Sequence, residues 1–256
     1  MLGYYAMSVL EEWKTLSVIV PAYNEAVSIT LTVKNIEEAL KGYGGGYEII
    51  VVDDGSKDDT LERALSVAAA NSSVRVLSYQ DNNGKGHALK HGFQFAKGDL
   101  ALFLDADSDL PPSQIPRFLD RMSVGDVDIV IGSKRHPDSE VHYPAARRLF
   151  SKAYSLLVMA LFQLSISDTQ TGVKLFDRKV LDDVFPKVLV KRYAFDLELL
   201  VNARRLGYRI TEMPVVLNYR FRSRIKTKAI WGIFLDTLAI FYRMKILHYY
   251  DKGGGA

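Results

Sequence analysis

The first half of the chain alternates short apolar runs with segments in which apolar residues recur every three or four positions. The apolar runs predict β-strands over residues 16–20, 47–52, 74–79, 101–104 and 128–133. The periodic segments predict helices over residues 29–40, 61–68 and 88–96. Strands that alternate with helices of this length predict an α/β protein with a mostly parallel sheet and helices on both faces.

The second half has longer apolar segments. Residues 149–166 and 229–250 are apolar, residues 196–206 predict a helix that ends at Gly207, and residues 210–219 predict a strand. The first apolar segment is shorter than the roughly 20 residues that cross a bilayer. The second carries Asp236, Arg243 and Lys245, which are costly inside a bilayer. Neither segment is predicted to span a membrane.

The composition excludes some classes of protein. A net charge of +3, from 33 basic and 30 acidic residues, gives no reason to expect a nucleic-acid partner. With 0 cysteines, disulfides and thiolate metal sites are ruled out. The first residues lack a basic segment ahead of an apolar core, so we expect no secretory signal.

Acidic residues follow two of the predicted strands. Asp53 and Asp54 end the second strand, and Asp105, Asp107 and Asp109 follow the fourth. Ligands bind at the carboxyl ends of strands in an open parallel sheet. Extended backbone would point the last three carboxylates to one side. Such a group suits a hard cation, Mg²⁺ or Mn²⁺, that also binds a ligand's phosphates. The alternative is a solvated acidic loop.

Several short motifs stand at these strand ends. They are Pro-Ala-Tyr-Asn-Glu at 21–25, Val-Asp-Asp-Gly-Ser at 52–56, Asn-Asn-Gly-Lys-Gly-His at 82–87 and Asp-Ala-Asp at 105–107. Together they resemble the inverting glycosyltransferases of family 2, which have the GT-A (Rossmann-like) fold. Residues 167–176 (SDTQTGVKLF) and 192–200 (RYAFDLELL) are similar to dolichyl-phosphate β-glucosyltransferases, of which the dolichyl-phosphate mannose synthases are close relatives. The resemblance covers about residues 16–226.

The resemblance implies an organisation and a set of site residues. Residues 14–226 would form one catalytic domain, with a donor half (14–133), an acceptor half (134–226) and then an amphipathic C-terminal helix and tail (227–256). The donor would contact Pro21, Tyr23, Glu25, Val52, Asp54, Lys85, Asp105, Ala106, Asp107, Arg220 and Lys226, with Val52 and Asp54 at the base. Asp105, Asp107 and Asp109 would bind the metal. Lys134, with Arg147 or Arg148, would hold the acceptor phosphate, so that Asp105, Asp107 and these basic residues would carry catalysis.

Structural interpretations of some of these residues stay open. Pro21 and Tyr23 could form a turn, and Lys85 could lie in a solvated loop. Arg147 and Arg148 could belong to a solvated helix face. Asp196, just ahead of a helical segment, is expected to be an N-terminal cap. His87 and His91 are spaced to share a helix face, where packing is expected rather than metal binding.

The resemblance also implies a reaction. A hexose would move from a nucleotide-diphospho-sugar, with UDP-glucose favoured over GDP-mannose, to dolichyl or polyprenyl phosphate, giving a β-linked lipid-phosphate sugar. A phosphate monoester is largely ionised at neutral pH, so we expect no general base. Because the acceptor is a lipid, residues 149–166 and 231–250 would lie as helices in a membrane interface. The protein would be peripheral, on the cytoplasmic face. The alternative for both segments is packing on the core or in a dimer.

Other functions remain open from the sequence. A family 2 enzyme with a saccharide or protein acceptor would need a carboxylate base, for which Asp196 and Glu198 are the candidates. A phosphatase with an aspartyl nucleophile would need an acidic motif after the first strand, where this chain has Pro21 and Tyr23. A partner subunit that only binds a nucleotide-sugar is the non-enzymatic alternative.

Overall fold

The computed structural model describes residues 14–141, 145–192, 194–217 and 227–251, with backbone alone for 145–150 and 227–230. The strands are β1 (Leu16–Ala22), β2 (Tyr47–Asp53), β3 (Val74–Ser78), β4 (Leu100–Leu104), β5 (Ile129–Ser133), β6 (Val173–Asp177) and β7 (Ile210–Pro214). The helices are α1 (Ile29–Leu40), α2 (Thr60–Ala70), α3 (Lys85–Phe93), α4 (Ile115–Ser123), α5 (Ala145–Phe162), α6 (Arg178–Val184), α7 (Phe195–Arg205) and α8 (Thr227–Lys245).

The strands form a mixed sheet that is mostly parallel, as predicted. Within the described residues its 7 strands lie in the order β3-β2-β1-β4-β6-β5-β7. Strand β6 is antiparallel to both of its neighbours, β4 and β5, whereas the other neighbouring pairs are parallel. The antiparallel strand β6 was not predicted, because it has only 5 residues and Lys174 interrupts its apolar run.

Two apolar layers cover the sheet, one on each face. In β1, Ile19 faces the layer that includes α3, α6 and α7, whereas Val18 and Val20 face the layer that includes α1, α2 and α4. Neighbouring strand residues point to opposite faces, so a central strand with both faces covered needs apolar residues at every position. The predicted arrangement of helices on both faces is confirmed.

Several predicted elements differ in detail, and the strand predicted over residues 210–219 ends at Pro214. Strand β1 continues past Pro21 to Ala22, and α3 begins at Lys85 rather than near residue 88. Leu65 belongs to the apolar periodicity that predicts the second helix but is 50% exposed, whereas Thr60 and Ala64 are the buried residues of α2. Because α2 packs against β3 at the edge of the sheet, only a narrow strip of its surface is covered by other elements.

Helices α5 and α8 pack against each other beyond the sheet. The hydroxyls of Tyr154 and Thr237 are 3.1 Å apart, and the rings of Phe162 and Phe241 meet edge to face. In the part of the chain that the structure describes, neither these helices nor any other is long and apolar enough to cross a membrane.

A buried carboxylate ties the C-terminal helix to α7. Glu198 is fully buried, and its Oε2 accepts hydrogen bonds from the backbone nitrogens of Leu189 and Val190 at 2.8 and 2.6 Å. Its Oε1 accepts from Arg243 at 2.5 Å and from the Tyr250 hydroxyl. The carboxylate therefore joins α7, the loop before it, α8 and the residues that follow α8.

Candidate functional site

A pocket of about 300 Å³ opens at the carboxyl ends of β1, β2 and β4. Its lining consists of Pro21, Ala22, Tyr23, Glu25, Asp54, Asn82, Gly84, Lys85, Asp105, Ala106 and Asp107. The predicted donor residues before position 108 thus lie together, except Val52. That side chain is fully buried in the apolar core, so it does not line the pocket.

The loops after β1 and β2 hold each other in place. The Asn24 backbone nitrogen donates to the Ser56 hydroxyl at 3.0 Å, and the Lys57 nitrogen donates to Asn24 Oδ1 at 2.8 Å. Next to them, Glu25 Oε2 accepts from the Ser28 hydroxyl at 2.6 Å. Burial, opposed by that hydrogen bond and reinforced by nearby carboxylates such as Asp105, raises the pKa of Glu25. These contacts fix the wall of the pocket.

Asp54 organises the loop between β3 and α3. Its Oδ1 accepts from the Tyr79 hydroxyl at 2.7 Å and from the Asn83 nitrogen at 2.8 Å, and its Oδ2 accepts from the Gly84 nitrogen at 2.9 Å. Gly84 has φ +96°, a conformation that favours glycine. A carboxylate has about four acceptor positions, so Asp54 retains about one for a ligand. Its contact with a nucleotide base stays a prediction.

The acidic segment after β4 is a turn. The prediction that extended backbone points Asp105, Asp107 and Asp109 to one side is wrong, since β4 ends at Leu104 and Ser108 has φ +61°. The Asp109 nitrogen donates to Asp107 Oδ1 at 3.1 Å. Strand β1 pairs with β4 only as far as Phe103, so little sheet pairing remains to keep the chain extended beyond that point.

A hydroxyl from α1 holds this turn. Thr32, which is fully buried, donates from its Oγ1 to the Ala106 carbonyl at 2.9 Å. The same oxygen lies 2.7 Å from the Ser108 hydroxyl. Thr32 therefore replaces a neighbouring strand as the partner of the chain after β4.

The pocket holds an excess of negative charge. Lys85 Nζ lies 2.5 Å from Asp105 Oδ1. Desolvation in the pocket, with repulsion from the carboxylates of Asp105, Asp109 and Glu25, raises the pKa of Asp107 to about 6. Carboxylates that repel each other in this way fit a hard divalent cation, which would use Asp105 and Asp107 and complete its shell with water and phosphate oxygens. The expected set of three carboxylates is not assembled, because the described residues contain no group of three metal-ligating side chains.

The raised pKa of Asp107 predicts a pH-dependent stability. The folded state holds the Asp107 proton up to pH of about 6, whereas the unfolded chain releases it near 3.8. Ionisation therefore destabilises the fold progressively between these values and fully above pH 6. Without added metal, we expect Asp107→Asn to raise the melting temperature at pH 7.5 and to leave it unchanged at pH 3.5. Thermal melts of both proteins at the two pH values test this. An equal shift at both would contradict the assignment.

The predicted acceptor side begins where β5 ends. The Lys134 nitrogen donates to Asp168 Oδ2 at 3.1 Å, and Lys134 Nζ is 3.7 Å from the same oxygen. Burial opposes ionisation of Asp168, but the Lys134 ammonium and hydrogen bonds outweigh it and lower the pKa of that carboxyl. The predicted partners Arg147 and Arg148 lie in α5, and their side chains are outside the described residues. Arg220 and Lys226 are also outside them.

Sequence reasoning missed a buried ion pair behind the pocket. Lys174, in β6, lies with its Nζ 2.7 Å from Asp196 Oδ1. The prediction that Asp196 caps a helix is wrong, since Ala194 occupies the cap position of α7 and Asp196 lies in the first turn. The available signal was a lysine inside the apolar run Val-Lys-Leu-Phe at 173–176.

The two histidines of α3 pack as expected. His87 and His91 have nearly parallel rings 6.2 Å apart, and Tyr79 meets both edge to face. The described residues place no third metal-ligating side chain with them.

The sheet and its acidic pocket define an α/β protein with a crevice at the carboxyl ends of its strands, the place where open sheets of this kind bind ligands. The model of Glycosyl transferase family 2 matches residues 17–185, which is more than half of the chain. The chain belongs to this family.

Several relatives are similar over most of the chain. Glycosyltransferase AglD of Haloferax volcanii is 34% identical over 201 residues, covering 78% of this chain and 32% of the relative. The dolichyl-phosphate beta-glucosyltransferase of Dictyostelium discoideum is 35% identical over 216 residues, covering 78% and 65%. Dolichyl-phosphate beta-glucosyltransferase ALG5D of Trichomonas vaginalis is 34% identical over 252 residues, covering 92% and 76%. The chain thus spans about a third of the first relative and just under two thirds of the second.

Solved structures share the fold. Mannosyl-3-phosphoglycerate synthase from Rubrobacter xylanophilus has a TM-score of 0.71 at 20% identity, covering 93% of this chain and 76% of that one. Glucosyl-3-phosphoglycerate synthase from Mycobacterium tuberculosis, in complex with Mn²⁺, UDP and phosphoglyceric acid, has a TM-score of 0.69 at 23% identity, covering 90% and 78%. The predicted GT-A fold is confirmed.

Proposed function

We propose that this protein transfers a hexose from a nucleotide-diphospho-sugar to a polyprenyl or dolichyl phosphate, with inversion at the anomeric carbon. The observation that carries the proposal is the acidic pair Asp105 and Asp107 in the strand-end pocket, with the basic residue Lys134 at the end of β5 in the same sheet. Relatives that are dolichyl-phosphate beta-glucosyltransferases support the lipid acceptor and glucose. The Mycobacterium tuberculosis structure with UDP and Mn²⁺ supports UDP-glucose as the donor.

Different site residues would bind the donor and the acceptor. Pro21, Tyr23 and Asp54 would hold the nucleotide. Asp105 and Asp107 would hold Mg²⁺ or Mn²⁺, which when bound neutralises the leaving diphosphate. Lys134, together with Arg147 or Arg148, would compensate the charge of the incoming phosphate.

The buried carboxylates behind the pocket support an acceptor that is already ionised. Glu198 is fully buried and accepts hydrogen bonds on both oxygens, so it is not free to take a proton from a substrate. Asp196 is paired with Lys174. Asp196 and Glu198, the candidates for a general base with a saccharide acceptor, are thus both held in buried contacts within the protein. A phosphate monoester, with a second pKa near 6, attacks without one.

Lys134 provides a test of the acceptor. We expect Lys134→Ala to raise the apparent KM for polyprenyl phosphate about tenfold or more, because charge-assisted contacts to phosphate are strong. The KM for UDP-glucose should change less than twofold. Initial rates with radiolabelled UDP-glucose, followed into the lipid fraction, measure both.

The matched control is Lys179→Ala. Lys179 forms an ion pair with Asp128 at 3.1 Å, at the opposite edge of the sheet, and its loss should leave both constants unchanged. Equal transfer to a soluble sugar, unaffected by Lys134→Ala, would instead favour a saccharide acceptor. Binding of UDP-glucose without any transfer would favour a non-catalytic subunit.

An exposed apolar stripe on α8 supports a membrane-bound acceptor. Its members recur every three or four positions on the outer side of the helix and continue beyond it: Trp231, Phe234, Leu235, Leu238, Tyr242 and Ile246. Leu156 and Met159 of the neighbouring helix α5 are also about half exposed. If the protein binds peripherally to the cytoplasmic face of a membrane, these apolar side chains would insert into the lipid interface and basic residues would lie near the headgroups.

Vesicle binding tests this stripe. We expect Leu235→Glu to weaken binding to vesicles of phosphatidylcholine and phosphatidylglycerol about tenfold or more, since leucine burial is worth roughly 1.5–3 kcal/mol. Leu65→Glu is the matched control, because Leu65 is 50% exposed on α2, across the sheet from α8. Sedimentation with vesicles measures the binding. Equal losses from both variants would indicate that α8 is not the docking surface.

A further inference from the structure

The ion pair between Lys174 and Asp196 is buried behind the pocket. The two residues are 1% and 8% exposed, and Lys174 Nζ also donates to the Thr171 carbonyl. A buried ion pair is a poor source of stability, because removing two charges from water offsets most of their attraction. Its place beside a charged pocket therefore points to a role in the pocket.

The sheet places Lys174 directly behind the acidic pair. Lys174 is in register with Phe103, two residues before Asp105 in the chain. Phe103 packs in the layer of α3 and α7, the helices that carry Lys85 and Asp196. Just before β6, Gly172 lies so close to the Asp105 carboxylate that a Cβ atom would collide with it. The chain around Lys174 thus supports Asp105 from behind.

Charges of opposite sign alternate along this side of the pocket. Lys85 contacts Asp105 at 2.5 Å, and after Asp105 the carboxylate that acts most strongly on Lys85 is Asp196. Asp196 in turn has its closest cation in Lys174. Gly86 and Phe195, the chain neighbours of Lys85 and Asp196, are in contact, so that Lys85 is near both carboxylates. Lys174 compensates the charge of Asp196.

We propose that Lys174 is a positioning residue of the donor site, which engages Asp196 and thereby keeps Lys85 on Asp105. Lys85 and a divalent cation compete for the same carboxylate, so the pair behind the pocket sets how readily the acidic pair takes up the cation. The inference rests on the proposed function in one respect, namely that Asp105 and Asp107 bind a divalent cation.

The test measures binding of Mn²⁺ alone by electron paramagnetic resonance, without nucleotide or acceptor. Lys85→Met removes the competing ammonium, and we expect it to tighten Mn²⁺ binding about tenfold or more. Lys174→Met leaves Asp196 free to draw Lys85 away from Asp105, so it should also tighten binding, by about three- to tenfold. Asp196→Asn should weaken binding severalfold, because the Lys174 ammonium then loses its partner and remains as an uncompensated positive charge behind Asp105, where it opposes uptake of the cation.

The double variant and a control complete the test. Lys174→Met with Asp196→Asn removes both charges of the pair, and its affinity for Mn²⁺ should return to within about twofold of the wild type. Lys179→Met, which removes a lysine from a remote ion pair, should have no effect. A residue with a merely structural role would weaken Mn²⁺ binding in both single variants, whereas the inference requires changes of opposite sign.

Each result decides for or against the inference. Weaker or unchanged binding in a folded Lys174→Met protein would overturn it, as would the absence of Mn²⁺ binding in both the wild type and Lys85→Met. If Lys174→Met does not fold, Asp196→Asn decides, and tighter or unchanged binding overturns the inference. Because the measurement contains neither donor nor acceptor, failure of sugar transfer is seen separately and leaves the cation result standing.

Discussion

Asp105→Asn is expected to reduce sugar transfer by at least about 10²–10³-fold while leaving the fold intact. The Asp105 carboxylate lies in the pocket, contacts Lys85 at 2.5 Å and follows the last residue of β4. Replacing it with an amide removes the charge that would hold the divalent cation at the leaving diphosphate. Loss of one group that stabilises charge in a transition state typically costs this much. The core below it, from Ala101 to Leu104, is unchanged by the substitution.

The measurement is the initial rate of glucose transfer to polyprenyl phosphate at saturating donor and Mg²⁺, alongside circular dichroism of each protein. Asp126→Asn is the matched control, because Asp126 pairs with Arg121 at the protein surface away from the pocket. Excess chelator should inactivate the wild type, and added Mn²⁺ should restore it. A wild-type rate that persists in excess chelator would contradict the assignment of Asp105 and Asp107 to a divalent cation.

Glu198→Ala is expected to lower the free energy of unfolding by about 3–5 kcal/mol. The substitution leaves the Arg243 guanidinium, which is 18% exposed, without its carboxylate. It also removes the acceptor of two backbone N–H groups and of the Tyr250 hydroxyl. Breaking a buried pair by removing one partner has a cost of this size. The contact of α8 with α7 should loosen first.

Urea unfolding at neutral pH measures the change. The control is Lys14→Met, which removes a surface ion pair with Asp177 at 2.9 Å and should cost less than about 1 kcal/mol. Combining Glu198→Ala with Arg243→Met should cost less than the sum of the single changes, since the double variant leaves no charge unpaired. Strict additivity would mean that the two side chains do not stabilise each other.

Much of the fold follows from local patterns. Strands β1, β2 and β4 are apolar at nearly every position because both faces of a central strand are covered, and this signal is visible without tertiary structure. The same logic places Pro21, Asp54 and Asp105 at one edge, since the carboxyl ends of parallel strands meet there. The pocket confirms that these residues lie together.

Other features depend on partners that are distant in the chain. The acidic segment is a turn because Thr32, 74 residues before Ala106, donates to its backbone. Asp196 pairs with Lys174 instead of capping α7, because an antiparallel strand brings that lysine behind the pocket. Glu198 is buried because α8 supplies Arg243, 45 residues later. Local patterns thus predicted most of the elements in their order, β6 excepted, and the sheet edge that carries the charged residues. Which charges neutralise each other could not be predicted in this way, because an ion pair forms between groups that are close in space, and the partners here are far apart in the chain.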